Sequence, residues 1–190
     1  MLKKLAQAGA CVLLLGASMV NVAEAGVVLG ASVGKSQFDY TDIDDGSARN
    51  FYIGYEVNES PLFFELVSID SGDADVISLQ DVTLNVSGTQ VGLGYRGILN
   101  PETGSGFFFK GGMYSTDTEA AGPGGTATES GSGLYLGFGG DLMFVPNFGL
   151  RFDLEGLLGV SDFADDNNVT LIMVGPVFRF GGGEQQKPQQ

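Results

Sequence analysis

The side chains of this sequence that could take part in chemistry are mostly carboxylates. The 190 residues contain 23 Asp and Glu against nine Lys and Arg, a single Cys and no His. Because imidazole is the side chain that titrates near neutral pH without help, its absence excludes Ser-His-Asp triads, Cys-His pairs and His-based zinc sites. Carboxylate-pair chemistry is left, with Asp153 and Glu155 as the pair, and the strand pattern gives that pair no access for a substrate. We therefore expect no enzyme, and no catalytic, cofactor-binding or metal-binding residue.

Two short motifs suggest ligands and fail on context. Gly92-x-Gly94-x-x-Gly97 has the letters of a dinucleotide fingerprint, but it lies within a predicted strand and no helix follows it. The run 42–46 begins like a calcium loop, yet its fifth position is Gly46 and its twelfth is Ile53 rather than Glu. Neither motif predicts a site.

The first 25 residues have the pattern of a secretory signal peptide. Two lysines precede an apolar stretch over 8–22, and Ala23-Glu24-Ala25 supplies a small-x-small cleavage pattern. Cys11 lies inside the apolar stretch rather than at the cleavage point, so lipidation is not expected. We predict a signal peptide over 1–25, a folded body over 26–181 and a short polar tail over 182–190. Cleavage would take the formal charge from −14 to −15, which argues against a nucleic-acid partner.

The body alternates between apolar and small or polar residues with the period of a β-strand. Eight such segments can be read, beginning with Val27, Leu29, Ala31 and Val33 on the apolar side. The seventh is the clearest, and its apolar set is Phe148, Leu150, Phe152, Leu154, Leu158 and Val160. In the fourth, Leu84 and Val86 have the opposite parity to Val91 and Leu93, which predicts a bulge near Ser87-Gly88 or an upstream part outside the regular sheet.

The predicted connections also alternate, between short and long. Turns of a few residues join segments two and three, four and five, and six and seven. The other links are long and acidic, over 39–48, 70–81, 116–130 and 161–168. This arrangement is typical of an all-β, eight-stranded antiparallel up-and-down transmembrane β-barrel.

The bulk of the apolar set indicates that it faces outward. An eight-stranded barrel has an interior just wide enough for side chains to fill, so the many Phe and Leu fit better outside, whereas the glycines of the other parity fit inside. Five acids and four bases share that inner parity, and they should persist only as a paired network that closes the lumen. This predicted interior polar network comprises Glu56, Glu65, Arg96, Lys110, Asp141, Arg151, Asp153, Glu155 and Arg179.

Several of these strands carry a family resemblance. Leu29-Gly30-Ala31-Ser32-Val33-Gly34, Phe51-Tyr52-Ile53-Gly54-Tyr55 and Val91-Gly92-Leu93-Gly94-Tyr95-Arg96 resemble strands of the OmpA/OmpX-like outer-membrane barrels, over the span 27–180. The last strand is similar to the aromatic-ended signal that the barrel assembly machinery reads in that class, with the residues Ile172, Val174, Phe178 and Phe180. Pro176 departs from the pattern, since it replaces an outward apolar residue and removes a ladder donor.

The resemblance implies the outer membrane of a Gram-negative bacterium, reached through the cleaved signal peptide. It also implies contact with membrane lipid and lipopolysaccharide, and with the assembly machinery and periplasmic chaperones. We expect a structural or surface-interaction role, in envelope integrity or adhesion, through the acidic loops, with divalent cations or host surface factors as possible partners. Two alternatives stay open: a narrow cation-preferring porin, and a soluble periplasmic barrel that binds an apolar ligand.

Overall fold

The computed structural model describes residues 26–39, 42–57, 60–77, 79, 81–160 and 168–181. Each of its eight strands pairs antiparallel with the next, and β8 pairs with β1, so the sheet closes into a barrel. The strands are β1 Gly26–Phe38, β2 Gly46–Glu56, β3 Leu62–Asp75, β4 Thr83–Asn100, β5 Ser105–Gly122, β6 Gly125–Val145, β7 Phe148–Leu158 and β8 Val169–Phe180. No helix among the described residues is long and apolar enough to cross a membrane. The predicted fold class is confirmed.

The register of the ladders fixes the tilt of the strands. A row that starts at Val27 and crosses β2 to β7 reaches β8 at Thr170. Val27 itself pairs with Phe180, ten residues away from Thr170. Closure with such an offset requires strands inclined by about 40° to the barrel axis, which is the usual range for barrels in membranes. The strands therefore bring residues that are far apart in sequence to one level of the interior.

The outer face of the barrel carries the apolar side chains, as the size of these side chains predicts. Phe51 is 57% exposed, Leu136 65% and Met113 66%, and further Phe, Leu and Val side chains lie outward on all eight strands. On β3 to β6 this apolar belt stops at one row of the sheet, where Ser68, Thr89, Ser115 and Ser132 pair in succession. A contiguous apolar surface of this size needs an apolar surrounding. The soluble alternative, with the apolar set inside, is therefore wrong.

Glycines on the inner face make room for aromatic rings that cross from neighbouring strands. A Cβ on Gly30 would lie 2.1 Å from the Tyr52 ring, and a Cβ on Gly92 would lie 1.8 Å from the Tyr135 hydroxyl. In the same way, the Phe63 ring lies beside Gly94 and the Phe108 ring beside Gly139. The inward rings fill the lumen because these positions have no side chain of their own.

Some glycines are required by neighbouring backbone instead, and Gly34→Ala tests the strongest case. Its Cβ would lie 1.8 Å from the Ile172 carbonyl oxygen on β8. Since backbone cannot rotate away as a ring can, we expect a loss of about 1 to 3 kcal/mol in the free energy of unfolding. Urea unfolding in lipid vesicles measures it. Gly156→Ala is the matched control, because nothing lies within 4 Å of a Cβ there, and equal losses in both variants would contradict the explanation.

The structure corrects the prediction at the end of the barrel that carries the longer connections. The expected loop 116–130 is a β-hairpin, in which β5 and β6 pair up to Gly122 and Gly125. The expected loops 39–48 and 70–81 are shorter, because β2 begins at Gly46 and β3 continues to Asp75. The expected loop 161–168 lies largely outside the described residues. The three short turns between β2 and β3, β4 and β5, and β6 and β7 are confirmed.

The predicted bulge near Ser87-Gly88 is wrong. The β4–β5 ladder runs without a shift through that point, and the irregularity lies on β3 between Asp70 and Asp73. Gly72 adopts a φ of +68° there, which glycine tolerates, and the Ser71 hydroxyl accepts the Val86 N–H at 2.8 Å.

The parity change in β4 reflects an inversion of polarity along the barrel. Leu84 and Val86 lie inside it together with Ile69, Leu157 and Leu171, among other apolar residues. Val160 also belongs to this interior, so its predicted outward position is wrong: β7 ends at Leu158 and Gly159 has a φ of +70°. Beyond the belt the barrel is thus apolar inside and polar outside, as a water-soluble barrel would be.

Candidate functional site

The nine charged side chains assigned to the inner parity lie in the interior and are connected by ion pairs. They lie on seven consecutive strands, β2 to β8, and their ion pairs join them into one group. Each of the four bases contacts at least two of the five carboxylates. We call these nine residues the lumen network; they are Glu56, Glu65, Arg96, Lys110, Asp141, Arg151, Asp153, Glu155 and Arg179.

Lys110 lies at the centre of the most buried part of the network. Its Nζ is 2.8 Å from a Glu65 carboxylate oxygen and 2.6 Å from an oxygen of Asp153 and of Glu155. All four side chains are no more than 2% exposed. Gln90 adds a neutral donor, since its Nε2 donates to the second oxygen of Glu155 at 2.9 Å. A single ammonium thus contacts three carboxylates at this level, of which Glu65 also contacts Arg151.

This carboxylate trio has the spacing of a cation site, but Lys110 occupies it. One oxygen from each of Glu65, Asp153 and Glu155 lies within 4.8 Å of the others, and oxygen ligands at such separations suit a hard cation. The ammonium group stands within hydrogen-bond distance of all three. The chain therefore supplies its own cation to this trio.

Arg151 connects the Lys110 level to the next. Its guanidinium contacts Glu65 and donates from Nε to Asp141 at 2.9 Å. It also lies over the rings of Tyr52 and Phe108, at 4.4 and 4.7 Å from their centroids. Stacking on aromatic faces stabilises a guanidinium that water cannot reach. The inward aromatics are therefore part of the site.

The network ends near the short turns. Arg96 bridges Glu56 and Asp141. Arg179 donates to Asp141 at 2.8 Å and to the Gly104 carbonyl at 2.9 Å, which ties the network to the turn between β4 and β5. Exposure rises toward this end, to 28% for the Glu56 side chain.

The opposite end of the network is covered by apolar side chains. Val67, Val86 and Leu171 are at most 2% exposed, and they belong to one buried cluster with Tyr135 and Leu157. Water can therefore reach the charges from the short-turn end more easily than through this apolar cover.

Sequence reasoning missed the neutral members of the site. Tyr52, Phe108 and Gln90 share the inner parity with the charges, so the parity that located the acids and bases could also have located them. They carry no charge, so the pattern of acids and bases does not identify them. Their contacts follow from the tilt of the strands, which no local pattern encodes.

Comparison with known proteins agrees with this architecture. A sequence model of the outer membrane protein beta-barrel domain matches residues 8–180. The chain belongs to this family. Membership implies the outer membrane of a Gram-negative bacterium as its location.

Solved structures show the same fold at low sequence identity. Neisserial surface protein A has a TM-score of 0.64 and 13% identity, with 82% of this chain and 97% of that chain covered. The N-terminal barrel domain of Pseudomonas aeruginosa OprF gives 0.60 and 17%, over 82% and 97%. The attachment invasion locus protein Ail of Yersinia pestis gives 0.57 and 19%, over 83% and 99%. A search of curated proteins finds no match.

The last strand of this outer-membrane barrel carries the expected assembly residues on its lipid side. Ile172, Val174, Phe178 and Phe180 are all exposed on β8. Phe178 packs against Phe148 of β7, with ring centroids 5.1 Å apart. The face that would be recognised during assembly is therefore apolar and continuous with the belt.

The acidic residues predicted for the loops are distributed over strand ends and connections. Asp70 accepts two hydrogen bonds from the Arg49 guanidinium, at 2.9 and 2.7 Å, and Lys35 lies 3.5 Å from Asp45. Asp117 and Glu119 extend from the projecting part of β5. Asp162, Asp165 and Asp166 lie outside the described residues.

Proposed function

We propose that the protein is a closed outer-membrane barrel that acts by surface contact, as an adhesion or envelope-integrity protein. The observation that carries this proposal is the projection of the sheet beyond the belt. The strands β5 and β6 have 18 and 21 residues, whereas β7 and β8 have 11 and 12. A protein that needed only to span the bilayer would not require this extension, because 9 to 11 residues per strand suffice.

The projecting part of β6 offers an edge for an extended partner chain. The β6–β7 ladder begins at the pair Leu134–Leu158, so within the described chain residues 125–133 pair only with β5. Nine residues of strand correspond to about 30 Å of edge. Sheet edges add a further strand through backbone hydrogen bonds, which is a recurrent mode of peptide recognition.

The lumen network supports a surface role over transport. Four bases and five acids fill the interior with paired groups, and apolar side chains cover them toward the projecting end. Passage of a solute requires that several buried ion pairs separate, each of which leaves an uncompensated charge. We propose that the protein does not act as an open diffusion pore.

The remaining partners follow from the chemistry of the outer face. The belt suits membrane lipid, and outward Lys35 and Arg49 lie just beyond it, where lipopolysaccharide phosphates would lie. The last strand suits the assembly machinery and the periplasmic chaperones. Acidic residues near the rim suit loosely held divalent cations, since hard cations prefer carboxylate oxygens. The strongly negative charge disfavours nucleic acid.

Shortening the projecting hairpin tests the surface role. Deleting 119–128 and joining Thr118 to Glu129 through Asn-Gly preserves the register below, because Thr118 and Glu129 are paired. We expect the variant to reach the outer membrane and to lose adherence of Gram-negative cells to epithelial monolayers. Replacing only Pro123-Gly124 by Asn-Gly is the control, since it keeps the length. Adherence equal to that of the full-length protein would contradict the proposal.

A cation-preferring pore is the second candidate, and the excess of one acid in the lumen network favours it. Single-channel recording in planar bilayers separates the two functions. Stable cation-selective steps from the unaltered protein would overturn the closed-lumen proposal, whereas silence under conditions that insert a known porin would support it.

A further inference from the structure

The described parts of the connections β1–β2 and β3–β4 pair with each other at the projecting end of the barrel. The Asp44 N–H donates to the Asp75 carbonyl at 2.9 Å, and the Ile77 N–H donates to the Asp42 carbonyl at 2.7 Å. Ile43 and Val76 form a β-bridge between them. Backbone pairing on both sides holds the two connections in one position. We call this feature the rim ledge; it comprises 42–45, 75–77, 79, 81 and 82.

Two aliphatic side chains of the rim ledge are exposed on the polar side of the barrel. Ile77 is 66% exposed and Leu79 is 55% exposed. They follow the part of β3 that lies beyond the belt boundary at Ser68, so bilayer lipid does not cover them. The Val76 N–H donates to the Val82 carbonyl at 2.9 Å, and the Leu79 N–H to the Val76 carbonyl at 3.0 Å. These bonds hold the apolar pair in place.

The ledge that holds this apolar pair also carries carboxylates. In the described part of the chain, no ion pair involves Asp42, Asp44, Asp75 or Asp81, and Asp45 is the ledge carboxylate that has a basic partner, Lys35. Asp81 has a φ of +57°, an uncommon conformation for a non-glycine residue. The rim ledge thus combines exposed aliphatic surface with uncompensated carboxylates.

We propose that the rim ledge docks a cationic amphipathic polypeptide segment, whose apolar side chains cover Ile77 and Leu79 while its Lys or Arg side chains pair with the flanking carboxylates. Charge complementarity selects this occupant. Anionic lipopolysaccharide and a second copy of this chain both carry negative charge, so the ledge repels them. The inference rests on the proposed surface role and names the partner chemistry for it.

The aliphatic pair and the carboxylates of the rim ledge should contribute to binding in different ways. Covering the two exposed aliphatic side chains contributes most of the affinity, because burial of apolar surface is favourable in proportion to the area removed from water. The carboxylates mainly accelerate association and discriminate against acidic partners, and salt screens them because they are exposed.

Methyl NMR on the barrel in phosphatidylcholine nanodiscs tests the docking, with a short amphipathic peptide of lysine and leucine as the probe. The chain has six isoleucines, at 43, 53, 69, 77, 98 and 172. We expect the Ile77 methyl signal to shift on titration, with Ile43 following, while Ile98 at the opposite end stays unchanged. Empty nanodiscs measure the binding of peptide to lipid. A bound peptide that leaves Ile77 unshifted would overturn the proposal.

Three double variants separate apolar docking from general electrostatic attraction. Ile77→Ser with Leu79→Ser should weaken binding about tenfold or more. Asp75→Asn with Asp81→Asn should weaken it several-fold and flatten the salt dependence, whereas Asp117→Asn with Glu119→Gln, which removes the same charge from the hairpin, should have little effect. Equal effects of the two charge pairs would overturn the ledge as the docking site.

The outcome is distinguishable from failure of the surface role itself. If the hairpin deletion abolishes adherence while the ledge gives no peptide binding, the ledge proposal alone is wrong. If the peptide docks as described while adherence is unchanged by the deletion, the adhesive role of the hairpin is wrong and the ledge proposal stands.

Discussion

Lys110→Met is expected to destabilise the barrel more than any other single substitution of a charged residue. It leaves Glu65, Asp153 and Glu155 facing one another with no ammonium between them, at positions that are almost fully buried. Breaking a buried ion pair by removing one partner costs about 3 to 5 kcal/mol, because the remaining charge is left uncompensated. Equilibrium urea unfolding in lipid vesicles, monitored through the gel mobility of the folded form, measures this loss in the free energy of unfolding.

Lys35→Met is the matched control for this substitution. Lys35 is 69% exposed at the side chain and pairs with Asp45 at 3.5 Å, and exposed ion pairs of this kind contribute little. A Lys110→Met variant as stable as Lys35→Met would show that the lumen network is solvated in the membrane, and the closed-lumen argument would fail with it. If the variant is too unstable to fold, Lys110→Arg keeps the charge and should recover part of the folded fraction.

The same residue connects stability with permeability. Because Lys110 occupies the place that a cation would take among three carboxylates, its positive charge opposes cation entry at the most buried level of the lumen. The stabilising contact and the barrier to ions are therefore one arrangement. A barrel built in this way gains closure from the same ion pairs that hold its walls together.

The sequence predicts the membrane part of the fold because there the chain obeys a period of two on both faces. Phe152 faces outward and Arg151 inward, as the alternation around them requires, and the short turns fall where polar residues interrupt it. Every acid and base that shares the inner parity is found inside the barrel. A local pattern suffices in this region because each strand meets lipid on one side and a narrow lumen on the other.

The sequence predicts the projecting part poorly because the relation between side-chain polarity and orientation is reversed there. In that part apolar side chains point into the barrel and polar side chains point outward. Leu84 and Val86 point inward and Asn85 between them points outward, with no break in the β4–β5 register from Thr83 to Ile98. A shift in the alternation by itself does not distinguish a β-bulge from a strand that passes from lipid into water. Thr116 to Ser130 contains few large apolar residues, so it resembles a loop although its backbone pairs as a hairpin.

The contacts within the lumen network also cannot be predicted from local sequence patterns. Glu65 and Arg151 lie 86 positions apart, and their meeting depends on the offset with which β8 returns to β1. That offset fixes the tilt, and the tilt decides which inward residues share a level. The sequence supplies the members of the network, whereas closure of the sheet supplies the partners.

Leu136→Arg tests whether the apolar face of the barrel meets lipid. Leu136 is 65% exposed on β6, inside the belt, and an arginine on a lipid-facing position near the midplane costs about 2 to 4 kcal/mol. We expect folding into vesicles to be reduced accordingly, as measured by urea titration. The effect should shrink in detergent micelles, where the guanidinium reaches water more readily.

Ser132→Arg provides the control on the same strand and the same face. Ser132 lies one row beyond the belt, where the outward residues of β4 and β5 are Thr89 and Ser115, so its arginine can remain in water or contact lipid phosphates. We expect no loss of stability there. Equal costs at 132 and 136 would mean that the belt does not end at this row, and equal tolerance would mean that the apolar face does not meet lipid. The contrast between two positions four residues apart therefore tests the belt and its boundary together.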